Sequence, residues 1–389
     1  MTKGRGVIAY FFAMFLFFGS YLAMIQRIVS EIAFKYSMDN TAMGLIIVTT
    51  FVGYFISPIL TGEAADRLGR KPVMLIGFIA MLVGSVITLT INNPIAVGAG
   101  LLINGMAFGT LELTMSSILT DIKPGEANRI MNNSRLFFAF GTISGPFIAM
   151  GLIELTKDWV YVMAFAIVCL SIFFVVFLLL SYPKEKYPNL VVKKEESRSL
   201  TFKLLKNSTL LILCISIMMY VAVEVGLTFY VSKYIGQIST NQFFSTLTLS
   251  VFWLFVAIGR FGSAKIEKKL HSLIGLLAVL ACIGLAISFF VDGLVLSIIA
   301  FGIMGLGCSG MFPTLLALGK IYFPKYAGTV FGILISSGAI GGIIQPYIMG
   351  AVADATNLKI ALATCIVPLV IIIVMQVVLR AAEKDTKII

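Results

Sequence analysis

Gly62-Glu63-Ala64-Ala65-Asp66-Arg67-Leu68-Gly69-Arg70-Lys71 joins two long apolar runs, in the pattern G-x-x-x-D-R-x-G-R-K. It reads as a short charged turn between two membrane helices. Gly62 lets helices approach closely at the membrane face, and Gly69 permits the tight turn. Arg67, Arg70 and Lys71 hold the loop on the cytoplasmic side. Asp66 sits among cations and near helix ends, where a carboxylate is paired rather than stranded.

Outward from this turn the chain is apolar. Hydrophobic residues make up 59% of its 389 residues and charged residues 12%, with a mean hydropathy of +1.02. Such a composition excludes a soluble globular domain. A membrane helix needs about 20 apolar residues, and the apolar runs predict twelve spans, the first over about 7–27, the tenth over about 293–316 and the last over about 360–380. The expectation is an all-α membrane protein of twelve transmembrane helices in two six-helix bundles, both termini cytoplasmic. The first run, Val7 to Gln26, is longer than a signal-peptide core and is read as a retained helix.

The net charge of +11 raises the question of nucleic acid. Its distribution answers otherwise, because most Lys and Arg fall on segments that the twelve-span reading places inside, as the positive-inside rule requires. The expected partners are a lipid bilayer, a small-molecule solute and protons, with no nucleic acid, no metal and no cofactor, in a monomer. Cys169, Cys214, Cys282, Cys308 and Cys365 all fall in predicted helices, as small buried apolar side chains with neither metal nor disulfide spacing.

One long polar stretch divides the spans six and six. The domain expectation is therefore 1–182, a linker at 183–207 and 208–389, with Leu200 to Leu205 a short amphipathic piece at the membrane surface. A weak internal repeat agrees: about 200 residues apart, Gly62 matches Gly262, Gly105 matches Gly305, Gly141 matches Gly341 and Pro146 matches Pro346. Glycine and proline at corresponding places in two halves point to a rocking-bundle transporter.

An ionisable side chain at bilayer depth costs roughly 2.5–3.5 kcal/mol on insertion scales, so each one is a functional candidate. Glu112, in the fourth span, shares a partly polar face with Phe108, Met115 and Ser116. It reads as proton carrier or solute ligand, or as half of a structural ion pair. Glu224, in the seventh span, is flanked by Tyr220, Thr228 and Phe229, a combination suited to an amphipathic solute; the alternative is a helix-packing hydrogen bond. Arg135, in the fifth span, either snorkels to the interface or faces inward to a carboxylate or an anion. Arg27 and Glu31 are spaced to pair. Arg260 reads as architectural, and His271 as an exposed interfacial residue, with a proton relay as the alternative.

The loop 62–71 resembles the loop between helices 2 and 3 of the major facilitator superfamily. The whole length resembles the fucose–proton symporter family. Gly44-Leu45-Ile46 through Phe51-Val52-Gly53-Tyr54-Phe55-Ile56-Ser57-Pro58 is similar to that family's second helix. Gly259-Arg260-Phe261, Phe312-Pro313-Thr314, Gly341-Gly342 with Pro346, and Gly350 to Asp354 are similar to its later motifs. The resemblance implies proton coupling at Glu112, with Glu224 the second candidate; together with the residue reading, the candidate solute site is Gln26, Glu112, Arg135, Tyr220, Glu224 and Thr228. It further implies a conformational gate at Gly62, Asp66, Arg67, Gly69 and Arg70. Two positions depart from it: Gln26 stands where the family places an aspartate, and Arg135 where it places a sugar-contacting amide.

The leading expectation is a secondary active transporter, not an enzyme, moving a small, sugar-like polar solute with protons across a bacterial cell membrane by alternating access. The runner-up is proton-driven efflux, since Gly141-x-x-x-Gly145-Pro146 resembles part of a drug antiporter motif. A receptor or scaffold without transport is the reading from another class.

Overall fold

The computed structural model describes residues 2–37, 40–91, 93–180, 200–290 and 292–385; several side chains within these ranges, those of Gln26, Arg27, Pro146 and Phe229 among them, lie outside the description. The regular elements among the described residues are all helical. They are α1 (Thr2–Lys35), α2 (Asn40–Leu68), α3 (Arg70–Thr90), α4 (Pro94–Ile122), α5 (Ala127–Thr156), α6 (Val160–Leu179), α7 (Leu200–Leu205), α8 (Ser208–Ile238), α9 (Gln242–Ser263), α10 (Leu270–Phe290), α11 (Leu294–Cys308), α12 (Met311–Tyr322), α13 (Ala327–Ala355), α14 (Leu358–Ala363) and α15 (Ile366–Asp385), with one 3-10 turn at Pro124–Glu126. Most of the expected linker lies outside the described residues; its end forms α7.

Eleven stretches of the described residues are long and apolar enough to cross a membrane. The helix α2 is not among them: its described side chains begin at Val48, and its last two turns carry Glu63, Asp66 and Arg67. Helices outlast the apolar runs that announce them. The first span, expected to end near residue 27, continues as α1 to Lys35.

The chain divides into two compact units. Unit 1 holds Met1–Pro124, Ser134–Thr201 and Phe323–Ser336; unit 2 holds Gly125–Asn133, Phe202–Tyr322 and Ser337–Ile389. In unit 1, α4 packs on α2 and α3, and α3 on α6; in unit 2, α11 packs on α9 and α10, and α15 on α8 and α10.

The internal repeat has a packing cause. A Cβ on Gly105 would stand 2.0 Å from the Thr50 carbonyl of α2, and one on Gly305 would stand 2.3 Å from the Phe252 carbonyl of α9. Likewise a Cβ on Gly141 would stand 2.0 Å from the Leu16 carbonyl of α1, and one on Gly341 1.9 Å from the Met218 carbonyl of α8. Each pair marks the same crossing, where small residues let backbones touch without a side chain between them. The match of Gly62 to Gly262 is different. Gly62 meets the Gly328 carbonyl, at 2.6 Å from its would-be Cβ, whereas Gly262 has nothing within 4 Å.

Two expected spans are broken. The tenth divides into α11 and α12 at Ser309-Gly310, because Pro313 has no N–H to offer the Ser309 carbonyl one turn back. The last divides into α14 and α15 at Thr364-Cys365, where Pro368 likewise leaves the Thr364 carbonyl without its helical donor. Cys365 therefore lies in a turn, not inside a helix. Cys214, Cys308 and Cys365 are buried and Cys169 and Cys282 half-buried, all as free thiols.

His271 also departs from expectation: it is buried, not exposed at an interface. Its Nδ1 lies 2.8 Å from Gln376 Oε1 and its Nε2 2.7 Å from the Tyr322 hydroxyl, while Gln376 Nε2 donates to Ser216 Oγ at 3.0 Å. An amide oxygen only accepts, so Nδ1 carries the proton in this chain of bonds. The isolated sequence hid this because the partners come from α8, α12 and α15.

Candidate functional site

In unit 1 the charged residues of the fourth and fifth spans meet. Glu112 projects from α4 and Arg135 from α5, and Arg135 Nη2 donates to Glu112 Oε1, with side-chain exposures of 2% and 6%. The other carboxylate oxygen, Oε2, accepts the Tyr54 hydroxyl of α2 at 2.7 Å. Aromatic rings enclose the pair. The Arg135 guanidinium lies 5.1 Å from the centre of the Phe15 ring, and Phe108, one turn before Glu112, stacks on Phe18 at 4.9 Å and tilts against Tyr54 at 5.6 Å. Of the two alternatives for Arg135, the structure takes the inward one. At such burial neither charge stays ionised cheaply without the other, and removing one partner of a buried pair costs about 3–5 kcal/mol.

In unit 2 Glu224 of α8 faces Arg260 of α9. Arg260 Nη2 lies 3.8 Å from Glu224 Oε1, an ion-pair distance too long for a hydrogen bond, and the Glu224 side chain keeps 18% of its exposure. This carboxylate is the more open of the two. Tyr220 is wholly buried, its ring 5.9 Å from that of Phe312. Thr228 is half-buried and its hydroxyl donates back to the Glu224 and Val225 carbonyls, a local bond that Thr and Ser make within helices. Gln26 lies in α1, and its side chain is outside the description, as is the expected Arg27–Glu31 pair. Glu112 and Arg135 are thus brought together, as are Glu224 and Tyr220 with Arg260, the two groups belonging to different units.

The loop 62–71 forms a third cluster, in unit 1. Gly69 links α2 to α3 with φ of 90°, a left-handed backbone that glycine adopts without strain. Asp66 Oδ1 accepts the Gly328 amide at 2.9 Å, and Oδ2 accepts both the Thr329 amide and the Thr329 hydroxyl at 2.8 Å. The carboxylate thus caps the N-terminus of α13, where the helix dipole favours negative charge. Burial pushes the Asp66 carboxyl above its ordinary value, against the pull of the Thr329 amide and the Arg70 charge. Arg70 lies 3.8 Å from Asp66 and pairs with Asp121 of α4, while Arg67 pairs with Glu63 one turn back.

A counterpart sits in unit 2, about 200 residues further along the chain. Glu267 Oε1 accepts the Arg129 amide at 2.8 Å at the N-terminus of α5. Beside it Asn128 Nδ2 donates to the Ser263 and Ile266 carbonyls. Sequence reading missed Tyr54, Asp121, Thr329 and Glu267, and undervalued Arg260. Glu267 carried a signal, since it falls one residue past the repeat position of Asp66; the others are ordinary residues whose partners lie far along the chain.

The Major Facilitator Superfamily model matches residues 6–346. The glucose/mannose transporter GlcP of Bacillus subtilis is 24% identical over 298 residues, which cover 73% of this chain and 72% of that protein. Among solved structures, the fucose:proton symporter of E. coli superposes with a TM-score of 0.85 at 19% identity, over 96% of this chain and 98% of that one. The human organic anion transporter TETRAN superposes with a TM-score of 0.82 at 18% identity, over 97% and 100%. With the family model matching most of its length, the chain belongs to the Major Facilitator Superfamily.

Proposed function

We propose that this transporter carries a small polar solute, sugar-like in chemistry, together with protons. Two six-helix bundles totalling twelve spans, with both termini cytoplasmic, would alternate access to a central site in a bacterial cell membrane. The chain would act as a monomer, with 1–182 and 208–389 as its bundles and 183–207 as linker. One observation carries the reading: Glu112 is buried in unit 1 with Arg135 and Tyr54 as its partners. A carboxylate in such a place exchanges a proton only by rearranging its partners. That rearrangement gives the proton a differential affinity for two conformations, which is what coupling requires. Glu224 is the second candidate carrier, and the cap on Asp66, with Gly62, Arg67, Gly69 and Arg70, is the candidate gate. The proteins that share the fold or sequence include carriers named for glucose, mannose and fucose, which supports a sugar-like solute.

A second reading has its own observation. Arg135 stands where the fucose family has an amide, and one structural neighbour is named for organic anions; protonating Glu112 would release the Arg135 cation to an anionic solute. Efflux by antiport is the remaining transport alternative, and a non-transporting receptor the alternative of another class.

The test is solute-driven proton movement in proteoliposomes, with L-fucose, D-glucose, D-mannose and a set of small organic acids, on the parent and on Glu112→Gln. Proton entry with a neutral sugar, lost in Glu112→Gln, is the expected outcome. Proton entry only with acids selects the second reading. Coupling that survives Glu112→Gln removes Glu112 from the role. If none of the solutes moves protons while a proton gradient expels lipophilic cations, the chain works as an efflux antiporter.

A further inference from the structure

The sequence makes Arg260 look like a helix-end anchor, yet it is 4% exposed and reaches both Glu224 and the end of α11. Its Nε donates to the Ser309 carbonyl at 3.1 Å, and its Nη2 lies 3.8 Å from Glu224 Oε1. Ser309 is the residue at which α11 ends. Its carbonyl is open because Pro313 cannot supply the amide that an unbroken helix would give it. A buried carbonyl without a donor is costly, and Arg260 supplies the donor. The approach is close: a Cβ on Gly259 would stand 2.1 Å from Ser309 Oγ.

We propose that Arg260 is a positioning residue for the site around Glu224. One guanidinium balances the Glu224 carboxylate and caps the carbonyl at the break between α11 and α12. The planar fork of arginine serves two acceptors at once, which the single ammonium of lysine does not reproduce. The charge state of Glu224 is thereby tied to the geometry of the α11–α12 break. When a proton or a solute hydroxyl takes up the Glu224 charge, Arg260 loses that counter-charge while keeping its bond to the Ser309 carbonyl, and the break settles differently. Among the described residues that bear electrostatically on Glu224 are Arg260 of α9, Cys308 of α11 and Tyr220 of its own helix. This inference rests on the reading that places Glu224 in the solute path.

The experiment is thermal unfolding of the full-length protein in detergent at one fixed pH, on Arg260→Gln, Arg260→Lys, Glu224→Gln, Pro313→Ala and the doubles. Arg260→Gln should lower the midpoint by several degrees. In Glu224→Gln/Arg260→Gln, where no carboxylate is left without its counter-charge, the deficit should be smaller. Arg260→Lys should recover only part of the loss. Pro313→Ala, which returns an amide to the Ser309 carbonyl, should reduce the cost of Arg260→Gln, so that the two substitutions are non-additive. Strict additivity of Arg260→Gln with Glu224→Gln, or with Pro313→Ala, overturns the proposal. Should Arg260→Gln fail to fold, Arg260→Lys with and without Pro313→Ala gives the same cycle. Counterflow of D-glucose and L-fucose by Glu224→Gln reports on the transport reading separately. Unchanged counterflow would remove Glu224 from the solute path while leaving the stability cycle to judge the pair with Arg260.

Discussion

Removing the guanidinium of Arg135 leaves the buried Glu112 carboxylate with the Tyr54 hydroxyl but without its counter-charge. Arg135→Ala should therefore destabilise the fold by about 3–5 kcal/mol, read as a lowered denaturation midpoint. Glu112→Gln/Arg135→Gln should lose less than that single variant, because no charge is left behind. Tyr54→Phe removes one bond to a charged acceptor and should cost about 1.5–3 kcal/mol, with any proton coupling shifted in pH. At Asp66 the sign is worked from linkage. Its folded-state value lies above the ordinary one, so between the two the folded form holds more protons and stability falls as pH rises. Asp66→Asn should lack this component, and a stability–pH profile of parent and variant would show it just above the ordinary aspartate range.

At the scale of the helix the repeated glycines make a paired prediction. Gly105→Val and Gly305→Val each drive a side chain into a backbone carbonyl of the neighbouring helix. Each should cost at least the 1–3 kcal/mol typical of overpacking, by similar amounts in the two halves, whereas Gly262→Val, with open space around it, should be nearly neutral. Folding yield and unfolding midpoint decide it. The helices themselves were legible because apolar runs, basic flanks and the glycine offset are local properties, and the loop 62–71 announced its own turn through Gly69. The breaks at Ser309 and Thr364 were less visible: a proline in an apolar run signals a kink, but its depth depends on whether another helix offers a donor. His271 shows the same limit. Its place in the first turn of α10 was readable, but Gln376 and Tyr322, which bury it, stand 105 and 51 residues away. The candidate site was legible as a set of costly charges, and the pairing of Glu112 with Arg135 was one of two stated alternatives. Arg260 was seen but assigned to architecture, since nothing in its own neighbourhood reveals a carbonyl left open by Pro313.

At the scale of the molecule the placement of the termini and the count of spans belong together. Reporter fusions after residues 37, 69, 92, 123, 157, 190, 240, 268, 292, 325 and 357 should alternate between outside and inside if α2 crosses with the eleven other spans, and a fluorescent tag at either end should report the cytoplasm. Two helices carry a further consequence. Residues 127–133 of α5 belong to unit 2 while the rest of that helix belongs to unit 1, and residues 327–336 of α13 belong to unit 1 while the rest belongs to unit 2. Each compact body is therefore completed by a short piece of chain encoded in the opposite part of the gene. If the coding sequence is cut within 183–199, neither product carries all of its own body, so each should be short-lived when made alone. Made together, the two products should protect one another from proteolysis. A pair from two diverged homologues should do so only where the exchanged pieces, Asn128 with Ser263 and Asp66 with Thr329, still fit.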